Sequence, residues 1–195
     1  MKNPIATIQM ENGARIVIEL RPDQAPNTVR SFIHLAKLGC FDDHAIERIV
    51  PGFVADASYT AFGREEAKYL IPHETRQKGF PNELKVEPGT IVMGGYGDMG
   101  IAGGEFFFPI EDYERLDGVY PAFGKVLEGW DEVARWMTVE LIPVVAPHAP
   151  KMRINRPVEP IVIKRVTVET FGEQYPAPKT VPITRTMGTW GITVE

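Results

Sequence analysis

Between Ala45 and Asp56 the chain reads A-I-E-R-I-V-P-G-F-V-A-D. A short apolar run carries one arginine, Arg48; Pro51-Gly52 turns the chain; a second short run starts at Phe53. So tight a turn sets Arg48 and Phe53 side by side, a permanently protonated guanidinium next to an aromatic wall. Taken alone, Arg48 reads as an ordinary paired arginine and Phe53 as core. The functional question is whether the other elements build a pocket around the two.

Other residues with chemical potential give weaker signals. Phe41-Asp42-Asp43-His44 sets a histidine beside two carboxylates but has no second histidine nearby, so it reads as a turn rather than a metal site. His34 falls off the apolar stripe of its helix and reads as a boundary residue. The glycine-dense stretch from Gly94 to Gly104 contains no G-x-x-x-x-G-K-[ST], and no helix pattern follows it to hold an anion. It reads as a loop whose backbone lies close to something extended.

The elements that must position Arg48 and Phe53 are short. Asn12-Gly13 between Ile5–Met10 and Ala14–Leu20 is a strong hairpin signal. Ile16, Ile18 and Leu20 alternate with Arg15, Val17 and Glu19, as in a half-buried strand. Val29, Phe32, Ile33 and Ala36 share one helical face, with Pro26 in the first turn and Gly39 at the end. Residues 59–81 read as a long surface loop with a short strand near Tyr69–Ile71. Further strands are expected at Thr90–Gly94, Phe106–Phe108, Tyr120–Val126 and Ile161–Thr170. A single helical turn is expected at Asp112–Leu116, and a short helix at Trp130–Met137 with Trp130, Val133, Trp136 and Met137 on one face. The proline-rich stretch from Leu141 to Pro160 reads as a loop. About eight strands and two helices point to an all-β fold with capping helices, a closed antiparallel barrel.

The totals agree. A chain of 195 residues with 44% hydrophobic and 24% charged residues is ordinary for one globular domain. A net charge of -5 gives no reason to expect nucleic acid. The single cysteine, Cys40, excludes an internal disulfide and suits a reducing compartment. No stretch approaches the ~20 apolar residues of a membrane span, and the N-terminus lacks a signal-peptide core. A cytoplasmic monomer without cofactor or metal is the expectation.

Several fragments in order resemble one family, the cyclophilin-type peptidyl-prolyl cis-trans isomerases. They are the opening hairpin with A-P-N-T-V-R-S-F, then E-R-I-V-P-G-F, G-G-E-F-F-F, R-L-D-G-V-Y-P-A-F-G-K-V-L-E-G-W and I-K-R-V-T-V-E-T. The resemblance implies an eight-stranded cyclophilin-like barrel over residues 1–170, with 171–195 as an extension rather than a domain. It also implies isomerase activity on Pro-containing peptides and on unfolded or partly folded proteins. Arg48 matches the family's catalytic arginine. Phe53 matches the floor of the proline pocket, and Phe107 and Leu116 match further walls. Gly94, Gly95 and Tyr96 fall in the loop that lies along the bound peptide.

The departures define a divergent member. Ile46-Glu47 stands where the family has Phe-His, and Val54 where it has methionine. Asp56 and Glu105 replace glutamines, Arg115 an aromatic that is usually tryptophan, and Tyr120 a histidine. Ala57-Ser58-Tyr59 replaces Gly-Gly-Asp. Because cyclosporin binding in the family leans on that tryptophan, weak inhibition is expected. Asp56 is expected to pair with Arg48, and Glu105 to meet a peptide N–H or Arg115. Three functional readings stay open: an active isomerase, a cyclophilin-like module that binds Pro-containing segments with little turnover, and an unrelated barrel. The tail from Phe171 reads as a strap on the barrel, a disordered end, or a Pro-containing segment that enters a groove.

Overall fold

The structure, a computed structural model, describes residues 2–58, 64–146 and 149–194. The first hairpin forms where alternation requires it: β1 (Ile5–Met10) pairs with β2 (Arg15–Leu20), Ile5 opposite Glu19 and Gln9 opposite Arg15. Ile16, Ile18 and Leu20 are fully buried on one face. The other strands are β3 (His44–Ala45), β4 (Arg48–Val50), β5 (Val54–Asp56), β6 (Leu70–Ile71), β7 (Thr90–Gly95), β8 (Ile101–Pro109), β9 (Ala122–Glu128), β10 (Leu141–Ala146), β11 (Ala149–Pro157) and β12 (Val162–Glu169).

One antiparallel path runs β3-β12-β1-β2-β9-β7-β8-β5-β4, with β6 added onto β8. Among the described residues no ladder joins β3 to β4. The expected closed eight-stranded barrel is therefore an open, curled sheet of nine strands in its main path. The reason is local: β3 and β4 are two and three residues long and follow each other in the chain, separated only by Ile46-Glu47. The chain itself spans the seam, and Ile46 donates its N–H to Ile161 O at 2.8 Å.

The concave face is filled by aromatic rings. Phe32 packs against Phe41, Phe106 and Phe123 at ring-centre distances of 5.2, 5.5 and 5.4 Å. Phe32 belongs to α1 (Pro26–Lys37), whose Val29, Phe32, Ile33 and Ala36 are buried as the periodicity predicts. No side chain at the start of α1 caps it. Instead the buried Glu74 accepts the N–H groups of Asn27 and Thr28, each at 2.8 Å, and the Thr28 hydroxyl at 2.8 Å. A remote carboxylate thus satisfies the exposed helix donors and meets the positive end of the dipole.

Gly103 and Gly104, expected in a loop, lie inside β8. A Cβ on Gly104 would stand 2.6 Å from Leu35 Cδ1, so only a bare backbone lets the strand approach α1 this closely. Phe106 and Phe108 join the core while Phe107 turns to the opposite face. α2 (Trp130–Trp136) buries Val133 and Trp136, with Trp130 and Met137 packed alongside. Its Trp136 ring meets Phe108 at 6.0 Å, so the two helices seat at successive points along β8.

Two further expectations change. Within the stretch expected as a loop, β10 (Leu141–Ala146) and β11 (Ala149–Pro157) pair as a two-stranded ribbon. Prolines fit such a ribbon because half of its N–H groups point away from the ladder; Pro143 sits opposite Asn155. β11 packs beside β4 and screens that sheet edge. Where a single helical turn was expected at Asp112–Leu116, turns run instead from Glu114 to Val119, with Leu116 N–H bonded to Tyr113 O at 2.8 Å. Tyr59, which replaces a family residue after β5, lies outside the described residues, as does the first part of the loop expected from it. No described helix is long and apolar enough to cross a membrane.

Candidate functional site

Strand register assembles the site on the convex face. Arg48 of β4 pairs across the ladder with Asp56 of β5, and Asp56 with Phe107 of β8. Phe107 pairs with Val92 of β7, and Val92 with Ala122 of β9. Side chains of directly paired residues share a face, so one transverse row grades from charged to apolar. Val54, Leu84, Val86, Val92, Phe107, Leu116 and Ala122 form a second buried cluster beneath it, separate from the interior core.

A groove of about 290 Å³ opens over this row. It is lined by Arg48, Phe53, Val54, Asp56, Gly94, Gly95, Glu105, Phe106, Phe107, Leu116 and Tyr120. Ten of the twelve expected site residues thus converge there; Phe106, which the sequence marks only as strand, also lines it. Phe53 is held by the β4–β5 turn, accepting Ile110 N–H at 2.8 Å and donating its own N–H to Val50 O at 2.9 Å. Its ring meets Tyr113 edge-on at 4.8 Å, and Tyr113 donates its hydroxyl to Gly52 O at 2.6 Å. Phe107 and Tyr120 meet edge-on at 5.8 Å.

Arg115 and Tyr96 stand outside the lining. Arg115 lies over the Phe53 and Tyr113 rings, 4.7 and 5.4 Å from their centres. It stacks on the back of the Phe53 wall as a cation–π partner and is not the partner of Glu105. Tyr96 reaches the site through its hydroxyl, which donates to Glu105 Oε1 at 2.7 Å.

The charges are strongly coupled to burial. Arg48 Nη1 and the Asp56 carboxylate form an ion pair. Burial lifts the Asp56 carboxyl above its ordinary value, and Arg48 opposes that lift. Glu105 is 9% exposed and burial pushes it up to about 7. Hydrogen bonds from Tyr96 and Trp190 restrain the rise, and the Asp56 charge adds to it. Beside the Arg48–Asp56 ion pair, the protonation of Glu105 changes the charge of the inner groove near pH 7.

Sequence reasoning missed Trp190. This tail residue is 2% exposed and donates its indole N–H to Glu105 Oε1 at 2.8 Å. The available signal was a tryptophan in an otherwise polar, proline-rich end, a residue that seldom stays in water. The tail itself is a strap: Lys179 exchanges hydrogen bonds with Asn27 at 2.8 and 3.0 Å, and Val181 N–H bonds Leu70 O at 2.8 Å. No cluster of three metal-ligating side chains occurs among the described residues.

A curled antiparallel sheet with two capping helices and an arginine-lined apolar groove on its convex face defines a cyclophilin-type domain. Residues 5–168 match the family model for cyclophilin type peptidyl-prolyl cis-trans isomerases, and the chain belongs to that family. It is 37% identical over 122 residues to peptidyl-prolyl cis-trans isomerase B of Bacillus subtilis, covering 62% of this chain and 81% of that protein. It is 32% identical over 165 residues to peptidyl-prolyl cis-trans isomerase-like 2 of Cryptococcus neoformans, covering 84% of this chain but only 27% of that longer protein. A crystal structure of a Cryptosporidium parvum cyclophilin type isomerase, obtained in the presence of the dipeptide Ala-Pro, superposes with a TM-score of 0.65. That match has 21% identity and covers 85% of this chain and 99% of the other.

Proposed function

We propose that this chain accelerates cis–trans rotation of X–Pro bonds in peptides and in unfolded or partly folded proteins. The observation that carries this reading is the convergence of Arg48 with Phe53, Phe107 and Leu116 on one groove. Rotation faces a barrier of ~20 kcal/mol because the amide is partly double-bonded. No bond to carbon breaks, so no nucleophile is needed. The apolar walls hold the proline ring, and the twisted amide gains a pyramidal, basic nitrogen. A guanidinium aimed at that nitrogen stabilises the twisted state more than the planar one, which is what accelerates the step. One such hydrogen bond in a dry site supplies about 10²–10³-fold. The Cryptosporidium structure obtained in the presence of the dipeptide Ala-Pro supports this choice of substrate, and Pro-containing segments are the substrates assigned here.

Asp56 favours a second reading, a binding module with little turnover. Its ion pair with Arg48 orients the guanidinium but also competes for it. Exchange NMR on an Ala-Pro-containing peptide separates the two. The isomerase reading expects catalysed exchange that Arg48→Ala removes while the fold and peptide contact survive. Peptide binding without catalysed exchange in the wild type selects the module, and neither binding nor exchange rejects both.

A further inference from the structure

Trp190 lies beyond the residues that match the family model, yet it touches a groove residue. The path that delivers it is well tied. After Val181 bridges Leu70, Met187 and Ile192 exchange backbone hydrogen bonds at 2.9 and 3.1 Å and close a turn around Trp190. Met187 and Trp190 are both buried in the main core. The Trp190 ring meets Tyr96 edge-on at 5.0 Å, and Thr189 donates its hydroxyl to the Tyr96 oxygen at 3.3 Å.

Both donors converge on one atom. Tyr96 Oη at 2.7 Å and Trp190 Nε1 at 2.8 Å each point at Glu105 Oε1. The indole N–H can only donate, so Oε1 is held as an acceptor whatever the charge on the acid. The other oxygen, Oε2, lies toward Gly94, 4.0 Å from where a Cβ would stand on that groove-lining glycine.

We propose that Trp190 is a positioning residue of the site: with Tyr96 it ties down Glu105 Oε1, so that Oε2 alone faces a peptide in the groove. The C-terminal strap is then a component of the binding groove rather than a cover over it. This deepens the isomerase reading and rests on it for the identity of the peptide. The chemistry at Oε2 follows from the clamp. With Oε1 already accepting two hydrogen bonds, the proton of the neutral acid sits on Oε2 and donates to a peptide carbonyl; the ionised acid accepts a peptide N–H. Among the described residues, the ionisable groups facing Glu105 are the Tyr96 hydroxyl after β7 and Asp56 of β5, the latter paired with Arg48 of β4, and the strap contributes neutral Thr189 and Trp190. Burial sets the acid near neutrality, where both forms are populated.

Trp190→Phe tests this, because it keeps an aromatic ring against Tyr96 and removes the donor. In protein carrying ¹³C at the glutamate carboxyls, with Glu105→Gln assigning the signal, the Glu105 midpoint is expected to rise by about one pH unit. That is about tenfold in proton affinity. The Kd of an Ala-Pro-containing peptide is expected to rise several-fold, and Trp190→Phe is expected to add nothing in a Glu105→Ala background, which leaves the indole no acceptor to position. Tyr96→Phe, which removes the other donor, is expected to shift the midpoint the same way and serves if Trp190→Phe does not fold. An unmoved midpoint, or an equal loss of affinity in the Glu105→Ala background, overturns the proposal. A wild type that catalyses no exchange while its midpoint responds as expected supports the clamp and overturns only the isomerase reading.

Discussion

Replacing Glu105 by glutamine is expected to change the pH dependence of stability in a defined direction. Glu105 is nearly fully buried, and burial moves its carboxyl from an ordinary 4.5 to about 7. The folded state therefore binds this proton more tightly than the unfolded chain. Its contribution to stability is fully present below pH 4.5 and is lost as pH rises through 7. Between 4.5 and about 7, at about 1.4 kcal/mol for each pH unit, the loss amounts to about 3 kcal/mol, a large part of a typical domain stability of about 5–15 kcal/mol. Glutamine keeps an oxygen acceptor for Tyr96 and Trp190 and cannot ionise. The variant should therefore gain on the wild type by about 3 kcal/mol at pH 8 and by a little under about 1 kcal/mol at pH 5. Urea unfolding of both proteins across pH 5–8 measures this difference directly. Other titrating groups are common to both chains and largely cancel. A difference that stays constant from pH 5 to pH 8 would refute the assignment of Glu105 as an acid that is neutral in much of the folded population.

Asp56→Gln removes the carboxylate that competes for Arg48, and exchange NMR should show a several-fold rise in kcat/KM; an unchanged or lower value would mean that Asp56 mainly orients the guanidinium. Glu74→Ala strips three hydrogen bonds from the start of α1 in a buried position. It should cost about 3 kcal/mol and lower Tm by about 6–12 °C in a calorimetric scan. Cyclosporin should bind weakly, since Arg115 is committed to the Phe53 and Tyr113 rings; titration calorimetry of wild type and Arg115→Trp should show tighter binding by the variant.

Much of this protein is legible in its residues alone, because the patterns that carry it are local. The Asn12-Gly13 hairpin, the apolar face of α1 and the A-I-E-R-I-V-P-G-F-V-A-D turn depend on spacing over a few positions, and each forms where alternation or periodicity requires. Arg48 and Asp56 are eight residues apart on two strands of one tight turn, so their pairing follows from that turn. Other features were invisible because their partners lie far away in the chain. Gly103 and Gly104 read as loop until Leu35 and Tyr69 pack against a strand without side chains. The ribbon of β10 and β11 reads as loop in the sequence because its prolines suppress the usual strand signal. Whether β3 and β4 close a barrel depends on strands too short to pattern. Trp190 is the strongest case: nothing in its neighbours points to Glu105, 85 positions earlier. Only the folded strap brings the indole to that carboxyl, and only burial turns an ordinary glutamate into an acid that titrates near neutrality. Local spacing determined the cation and its aromatic wall; long-range packing and desolvation decided the charge of the groove beside them.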